Sequence, residues 1–279
     1  MVGIFIPSPF VCYFWVRINF LTRQKECLLF MSPGINLQDI GLSYADKPLF
    51  NQLNAHFKGG CWHSILGRSG VGKSSLLQSI AGLLSETTLE GTVSADDHQP
   101  LSDRIALMAQ RDALLPWLNV QENVLLGVRL RKQRTAEAQA QAQKLLAQVG
   151  LAELARRKPE QLSGGQRQRV ALARTLMEDK PIVLMDEPFS ALDAITRLQL
   201  QDLAATLLRD RTVILITHDP LEALRLSDQV WAMTGRPVSL DMLLDIDMPA
   251  PRALEDARIL SWQGELLSFL QKDLEEPAA

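Results

Sequence analysis

Gly67-Arg68-Ser69-Gly70-Val71-Gly72-Lys73-Ser74 is the stretch that decides how this chain folds. It follows Cys61-Trp62-His63-Ser64-Ile65-Leu66, a short apolar run, and leads into Ser74-Ser75-Leu76-Leu77-Gln78-Ser79-Ile80, whose apolar residues have helical spacing. Strand, glycine-rich loop and helix in that order form the setting in which a phosphate-binding loop works. Glycines let backbone N–H groups turn inward on phosphate oxygens, and the helix N-terminus adds the positive end of its dipole. Lys73 can then reach the β- and γ-phosphates while the Ser74 hydroxyl ligates Mg²⁺, with Ser75 beside it. The expected fold is α/β with a P-loop nucleotide-binding core. Kinases, GTPases and DNA motors share such a loop, so the kind of enzyme has to come from later residues.

Two later segments supply it. Pro181-Ile182-Val183-Leu184-Met185-Asp186 is a continuous apolar run of the kind buried in a parallel sheet, with an acid at its carboxyl end. Asp186 is placed to hold Mg²⁺ and Glu187 to polarise an attacking water. Taken alone, the acidic pair could equally cap a turn. Leu162-Ser163-Gly164-Gly165-Gln166 reads as a helix start in which Ser163 caps and Gln166 reaches back. Two glycines and a serine hydroxyl at a helix N-terminus suit an anion. An ordinary capped helix accounts for the serine and glutamine, but not for the paired glycines or for Arg167 and Arg169.

With their spacing, these motifs resemble the nucleotide-binding subunit of an ATP-binding-cassette transporter from about Ile35 to about Thr234. The resemblance implies a P-loop NTPase (RecA-like) core with an antiparallel β subdomain and an inserted α-helical subdomain at about 112–168. The ATPase domain would span 31–240, followed by a helical tail at 241–279. The resemblance makes ATP and Mg²⁺ the ligands. Gln110, ending the strand Arg104–Gln110, would touch Mg²⁺ or the attacking water. His218, after the apolar run Val213–Thr217, is similar to the family's switch histidine, which contacts the γ-phosphate. Tyr44 stands where the family stacks an aromatic ring on adenine. Ser190-Ala191-Leu192-Asp193 resembles the segment that crosses the dimer interface. Ser163, Gly164, Gly165 and Gln166 would close on the γ-phosphate held by a second copy, giving a head-to-tail dimer with two composite sites.

Leu114-Leu115-Pro116-Trp117-Leu118-Asn119-Val120 is unusually apolar for a loop. Pro116 bars a simple helix continuation, and Trp117 is costly to expose unless something covers it. A self-packed loop is one reading, and a socket for a coupling helix of a membrane subunit is the other. The segment makes the chain similar to importer ATPases of the nitrate, sulfonate, taurine and pyrimidine-precursor group. That similarity implies two membrane-spanning permease subunits, a periplasmic or extracellular solute-binding protein, and a peripheral place on the cytoplasmic face of the inner membrane. The alternatives are an export or lipoprotein-extraction ATPase, or a soluble non-transport ATPase with the same head. The latter normally needs long coiled-coil arms, and no heptad run of that length is present.

The rest of the chain sets bounds. Its 279 residues, 47% hydrophobic, suffice for one ordinary core with an inserted subdomain. A net charge of -3 with both signs interspersed argues against nucleic acid as a partner. Cys12, Cys27 and Cys61 are scattered without metal-ligand spacing, which fits a reducing, cytosolic setting. The aromatic N-terminus is too short for a spanning helix of about 20 residues and is broken by Pro7 and Pro9. Residues 1–30 are therefore expected to be an upstream extension, loosely packed or disordered, with Met31 as the natural start. Helices are expected within Glu122–Arg157, over Leu221–Leu226 and over Asp256–Leu274, and Gln229–Thr234 as the last strand.

Overall fold

The computed structural model describes residues 32–44, 47–84, 88–235 and 238–275. The expectation for residues 1–30 falls outside them.

Five apolar runs form the parallel part of a six-stranded sheet: β3 (Trp62–Gly67), β5 (Ile105–Met108), β6 (Ile182–Asp186), β7 (Thr212–Ile216) and β8 (Gln229–Thr234). The spatial order is β5-β6-β7-β3-β8-β9, with β9 (Ser239–Asp245) antiparallel on β8. Continuous apolar runs are what a sheet covered on both faces requires. Strand β6 shows the division, because successive side chains point to opposite faces. Ile182 and Leu184 join one core cluster, and Val183 and Met185 join another. Strands β5, β6, β7 and β3 are neighbours running in one direction, so the segments that follow them leave at one edge of the sheet. In open α/β sheets that carboxyl edge is where ligands bind.

The first cluster joins this sheet to a second, antiparallel one with order β2-β1-β4, where β1 is Ile35–Tyr44, β2 Lys47–Phe57 and β4 Thr88–Ala95. Ile35, Ile40, Phe50 and Phe57 from the small sheet pack with Ile65, Ile182 and Ile216 from the large one. Helix α1 (Lys73–Ile80) contributes Leu76 and Leu77 to the same cluster. The α/β nucleotide-binding fold expected from the phosphate loop is the fold observed.

Between β5 and β6 lie α2 (Val120–Val124), α3 (Leu126–Leu130), α4 (Ala136–Gln148) and α5 (Gly164–Met177). Thr135 caps α4 by accepting from the Ala138 N–H at 3.2 Å, and Gly150, at a φ of 71°, follows its end. These helices share a separate apolar cluster that includes Val120, Val124, Leu146, Val170 and Ala173. Helix α6 (Ala194–Leu207) connects β6 to β7, α7 (Pro220–Leu226) connects β7 to β8, and α8 (Ala257–Glu275) packs on α7.

Strand β9 corrects the expectation that Gln229–Thr234 is the last strand and that a helical tail begins at 241. Ser239-Leu240-Asp241-Met242-Leu243-Leu244-Asp245 has no clean two-residue alternation, because only Leu240 is buried. It is an edge strand, held by backbone pairing to β8, and Asp241 and Asp245 stand on an edge where charge discourages further pairing.

His63 lies inside β3, fully buried, with Nε2 2.9 Å from the Lys58 carbonyl and its ring edge-on to Phe57. Burial pushes its pKa down to about 4. Its neutral form is favoured by folding, so its contribution is complete above the unfolded pKa of about 6.5 and is lost as pH falls toward 4. We expect the thermal midpoint to fall on acidification across that window, with up to roughly 3 kcal/mol of the loss due to this ring. His63→Gln should flatten that part of a pH series of melting curves.

Candidate active site

The loop between β3 and α1 has the backbone that its glycines permit. Gly70 and Gly72 have φ of 81° and 111°, in the left-handed region that glycine enters without a Cβ penalty. A Cβ on Gly72 would also lie 2.8 Å from Phe50 and 3.0 Å from Leu49. Arg68, Ser69 and Gly70 are exposed, Val71 and Ser75 half-buried, and the Val71 N–H donates to the Arg68 carbonyl at 3.3 Å. Lys73 turns back into the loop: its Nζ donates to the carbonyls of Gly67 at 2.7 Å and Arg68 at 2.9 Å. Burial lowers the lysine pKa, while the negative charges of Glu187 and Asp186 work against that shift.

Those acids end β6. Desolvation raises the pKa of Asp186, opposed first by a hydrogen bond from Ser74. One hydroxyl and one carboxylate in contact form a hard oxygen set suited to Mg²⁺, which keeps several waters and takes phosphate oxygens as its other ligands. Among the described residues no cluster of three or more His, Cys, Asp or Glu forms an alternative, all-protein metal site.

Glu187 has a φ of 44°, an uncommon conformation for a residue with a side chain, and its N–H is held by the Ile216 carbonyl at 3.0 Å. Such a backbone costs of order 1–3 kcal/mol and persists where its surroundings hold it. Its Oε2 accepts from Gln110 Nε2 at 3.2 Å and lies 3.3 Å from His218 Nδ1. Gln110, Glu187 and His218 follow three different strands, so the sheet order is what brings them together. Glu187 is largely buried and His218 is exposed.

Two supports were not legible in the sequence. Ser190 Oγ donates to the Glu187 carbonyl at 3.0 Å, and buried Gln168 on α5 donates to the Gln110 carbonyl at 3.4 Å. The helical repeat could have pointed to Gln168, a polar residue on the apolar side of α5.

The signature segment is held by a separate set of contacts. Gln166 N–H donates to Ser163 Oγ at 3.3 Å and Ser163 N–H to Gln166 Oε1 at 2.9 Å, which is the expected capping box at the start of α5. The two arginines have intramolecular partners. Arg167 donates to Asp112 at 2.9 Å and to the Leu162 carbonyl at 3.0 Å, and Arg169 donates to Gln199 at 3.0 Å. Gly164 is exposed, whereas a Cβ on Gly165 would lie 2.6 Å from Thr196 Cγ2 on α6. The second glycine therefore has a packing reason as well as the anion-binding reason read from the sequence. Asp193 caps α6 by accepting from the Thr196 N–H at 3.0 Å. The Tyr44 side chain is not among those described.

The apolar loop is built to display its tryptophan. Asn123, fully buried, accepts from the Leu115 N–H at 2.8 Å and donates to the carbonyls of Leu115, Leu118 and Asn119. Asn119 and Glu122 form a capping box on α2. Leu118 is buried, but Trp117 is 68% exposed at the tip of this braced turn.

The ABC transporter family profile matches residues 50–190. An uncharacterized ABC transporter ATP-binding protein of Haemophilus influenzae is 42% identical over 239 residues, covering 85% of this chain and 98% of that protein. The chain belongs to the ABC transporter family. As in its relatives, it is an ATP-binding subunit and an ATPase. An aliphatic sulfonates import ATP-binding protein of Rhodococcus jostii is 44% identical over 86% of this chain and 95% of its own length. The protein of that name in Escherichia coli K12 is 38% identical over 83% and 88%. A dimeric ATP-binding cassette solved in a post-hydrolysis state with ADP and Pi superposes with a TM-score of 0.61 at 32% identity, covering 71% of this chain and 93% of that one.

The contact between Gly165 and Thr196 gives a test within this ABC fold. Gly165→Ala should cost about 1–3 kcal/mol through overpacking. Adding Thr196→Ser, which removes the obstructing methyl but keeps the hydroxyl, should restore most of the loss in denaturant titrations.

Proposed function

We propose that this subunit powers the uptake of a small solute of the nitrate, sulfonate, taurine or pyrimidine-precursor type. The observation that carries the hydrolytic part is the meeting of Gln110 and His218 on the Glu187 carboxylate, at the sheet edge that also bears Lys73 and Asp186.

The phosphate chain of ATP lies against the Gly67–Ser75 backbone. Lys73 exchanges its two loop carbonyls for β- and γ-phosphate oxygens, and its desolvated ammonium interacts strongly because water is excluded. Ser74, Asp186 and Gln110 would hold Mg²⁺, which neutralises charge developing on the transferred phosphoryl group. Glu187 orients the attacking water and accepts its proton. His218, beside that carboxylate, contacts the γ-phosphate, and Tyr44 stacks on the adenine.

The exposed helix start at Ser163, Gly164, Gly165 and Gln166 serves the γ-phosphate of a second copy in a head-to-tail dimer. Two observations favour this reading. Ser163 and Gln166 bond each other and leave the helix N-terminus open, and the similar cassette with ADP and Pi is dimeric.

Trp117 and its braced loop form the socket for a coupling helix of a membrane-spanning permease. Two permeases and a periplasmic or extracellular solute-binding protein complete the importer. No helix among the described residues is long and apolar enough to cross a membrane, in keeping with a peripheral place on the cytoplasmic face. Import is favoured by the 38% and 44% identity to proteins named for aliphatic sulfonate import.

Glu187→Gln should reduce ATP turnover by about 10²-fold or more while ATP binding persists and dimers accumulate on gel filtration. Wild-type turnover in that variant removes the assigned role. Trp117→Ala should leave the dimer's own hydrolysis intact and lower solute uptake in cells carrying the whole system. An envelope defect on deletion, without loss of uptake, would favour export instead.

A further inference from the structure

Behind His218 lies a buried polar network to which neither the nucleotide reading nor the sequence motifs assign anything. Glu222, in the first turn of α7, is 5% exposed, and its Oε2 accepts from Gln201 Nε2 on α6 at 3.1 Å. The Thr217 hydroxyl also bonds to it. Thr217 Oγ1 accepts the Asp219 N–H at 3.0 Å, and Asp219 caps α7 by accepting from the Leu221 N–H at 2.9 Å. Thr217 and Asp219 are the two neighbours of His218, so both ends of the histidine's turn are fixed by this network. Asp219 also pairs with Arg197 on α6 at 3.5 Å, and Arg197 donates to the Leu192 carbonyl at 3.1 Å. The chain of contacts therefore runs from the segment before α6 to the histidine. One small cavity is bordered by Glu187, His218, Thr217, Asp219, Glu222 and Arg197, which joins the network to the reacting carboxylate.

We propose that Glu222 is a positioning residue for His218: through Thr217 it sets the turn that carries the histidine, and through Gln201 it ties that turn to α6. The inference rests on the role proposed above for His218.

Its chemical content is a change of hydrogen-bond direction. An ionised Glu222 accepts the Thr217 O–H. A protonated Glu222 can donate its own O–H to Thr217 Oγ1, releasing the hydroxyl hydrogen to turn toward the cavity. Gln201 can remain a donor in both states. The proton comes from and returns to solvent, so no other reactant is needed.

Burial pushes the Glu222 pKa up to about 7, with the Asp219 charge acting in the same sense and the Thr217, Gln201 and Arg197 contacts against it. Both states are therefore populated near neutrality. The titratable and charged groups around Glu222 are Asp219 and Arg197 on the cavity side and His218 and Glu187 across it. Arg225, on its own helix, is paired with Asp202 of α6 at 2.7 Å. On the other face of α7, α8 and β3 present Ile259, Leu266 and Leu66, all apolar.

The test is the pH dependence of saturating ATP hydrolysis by the full chain, at protein concentrations where specific activity no longer rises. The wild type should show an inflection near pH 7. Glu222→Gln, which keeps the shape but cannot titrate, should lose it, leaving the KM for ATP within about twofold. Thr217→Val removes a bond that favours the carboxylate, so it should move the inflection upward by roughly one pH unit. Glu222→Gln failing to fold, as judged by circular dichroism, leaves Thr217→Val to decide. A wild-type profile without the inflection, an unchanged inflection in both variants, or inactivity of both folded variants at every pH overturns the inference. His218→Ala separates the two levels: turnover at the wild-type rate refutes the role of His218 itself. Lost turnover in His218→Ala, with unchanged inflections in the other two variants, refutes only Glu222.

Discussion

The buried ammonium of Lys73 and the carboxylates that face it are the interaction on which the rest depends. An ammonium taken out of water has to be compensated by hydrogen bonds and opposite charge. Here two loop carbonyls supply the former, and Asp186 and Glu187 supply the latter. The lysine begins the helix after β3 and the acids end β6, so the sheet must bring the ends of these strands to one edge. The order β5-β6-β7-β3 does this, and it adds Gln110 after β5 and His218 after β7. The same apolar runs that bury the sheet on both faces deliver these five polar residues to its rim.

The signature segment follows a different logic. The signature segment is shaped locally by its own capping box and held globally by Arg167 on Asp112 and Arg169 on Gln199. Its arginines brace it from the side, while Ser163 and Gln166 bond each other at the start of the helix. Gln168 joins the same helix to the Gln110 carbonyl, so a movement of α5 bears directly on a residue that touches Glu187. Gly165 packs on Thr196 of α6, the helix that also holds Arg197 and Gln201. Helix α6 thus touches both the signature and the histidine turn, so a single helix joins the two segments.

Much of the site was legible because its chemistry demands particular residue types at strand ends and loop glycines. The phosphate loop, Asp186, Glu187 and the capping box each have a local pattern that survives without any structure. What was missed has partners distant in sequence. Ser190 and Gln168 are polar residues of ordinary appearance until the carbonyls they meet are in place. The anion-binding reading of the paired glycines was incomplete because Thr196, which excludes a Cβ at Gly165, lies on another helix. Strand β9 was missed because an edge strand is defined by its neighbour and not by a buried face.

By itself the sequence determined the nucleotide chemistry, the α/β class and the separation of the signature from the phosphate loop, since each depends on local backbone demands. The tertiary structure alone decided that Gln110 and His218 share one carboxylate oxygen, and that Trp117 stands exposed on a turn fixed by Asn123. It also decided that Glu222 is enclosed with an unusual proton affinity. Those outcomes depend on distance and desolvation between elements far apart along the chain, and neither quantity exists until the sheet has set its strand order.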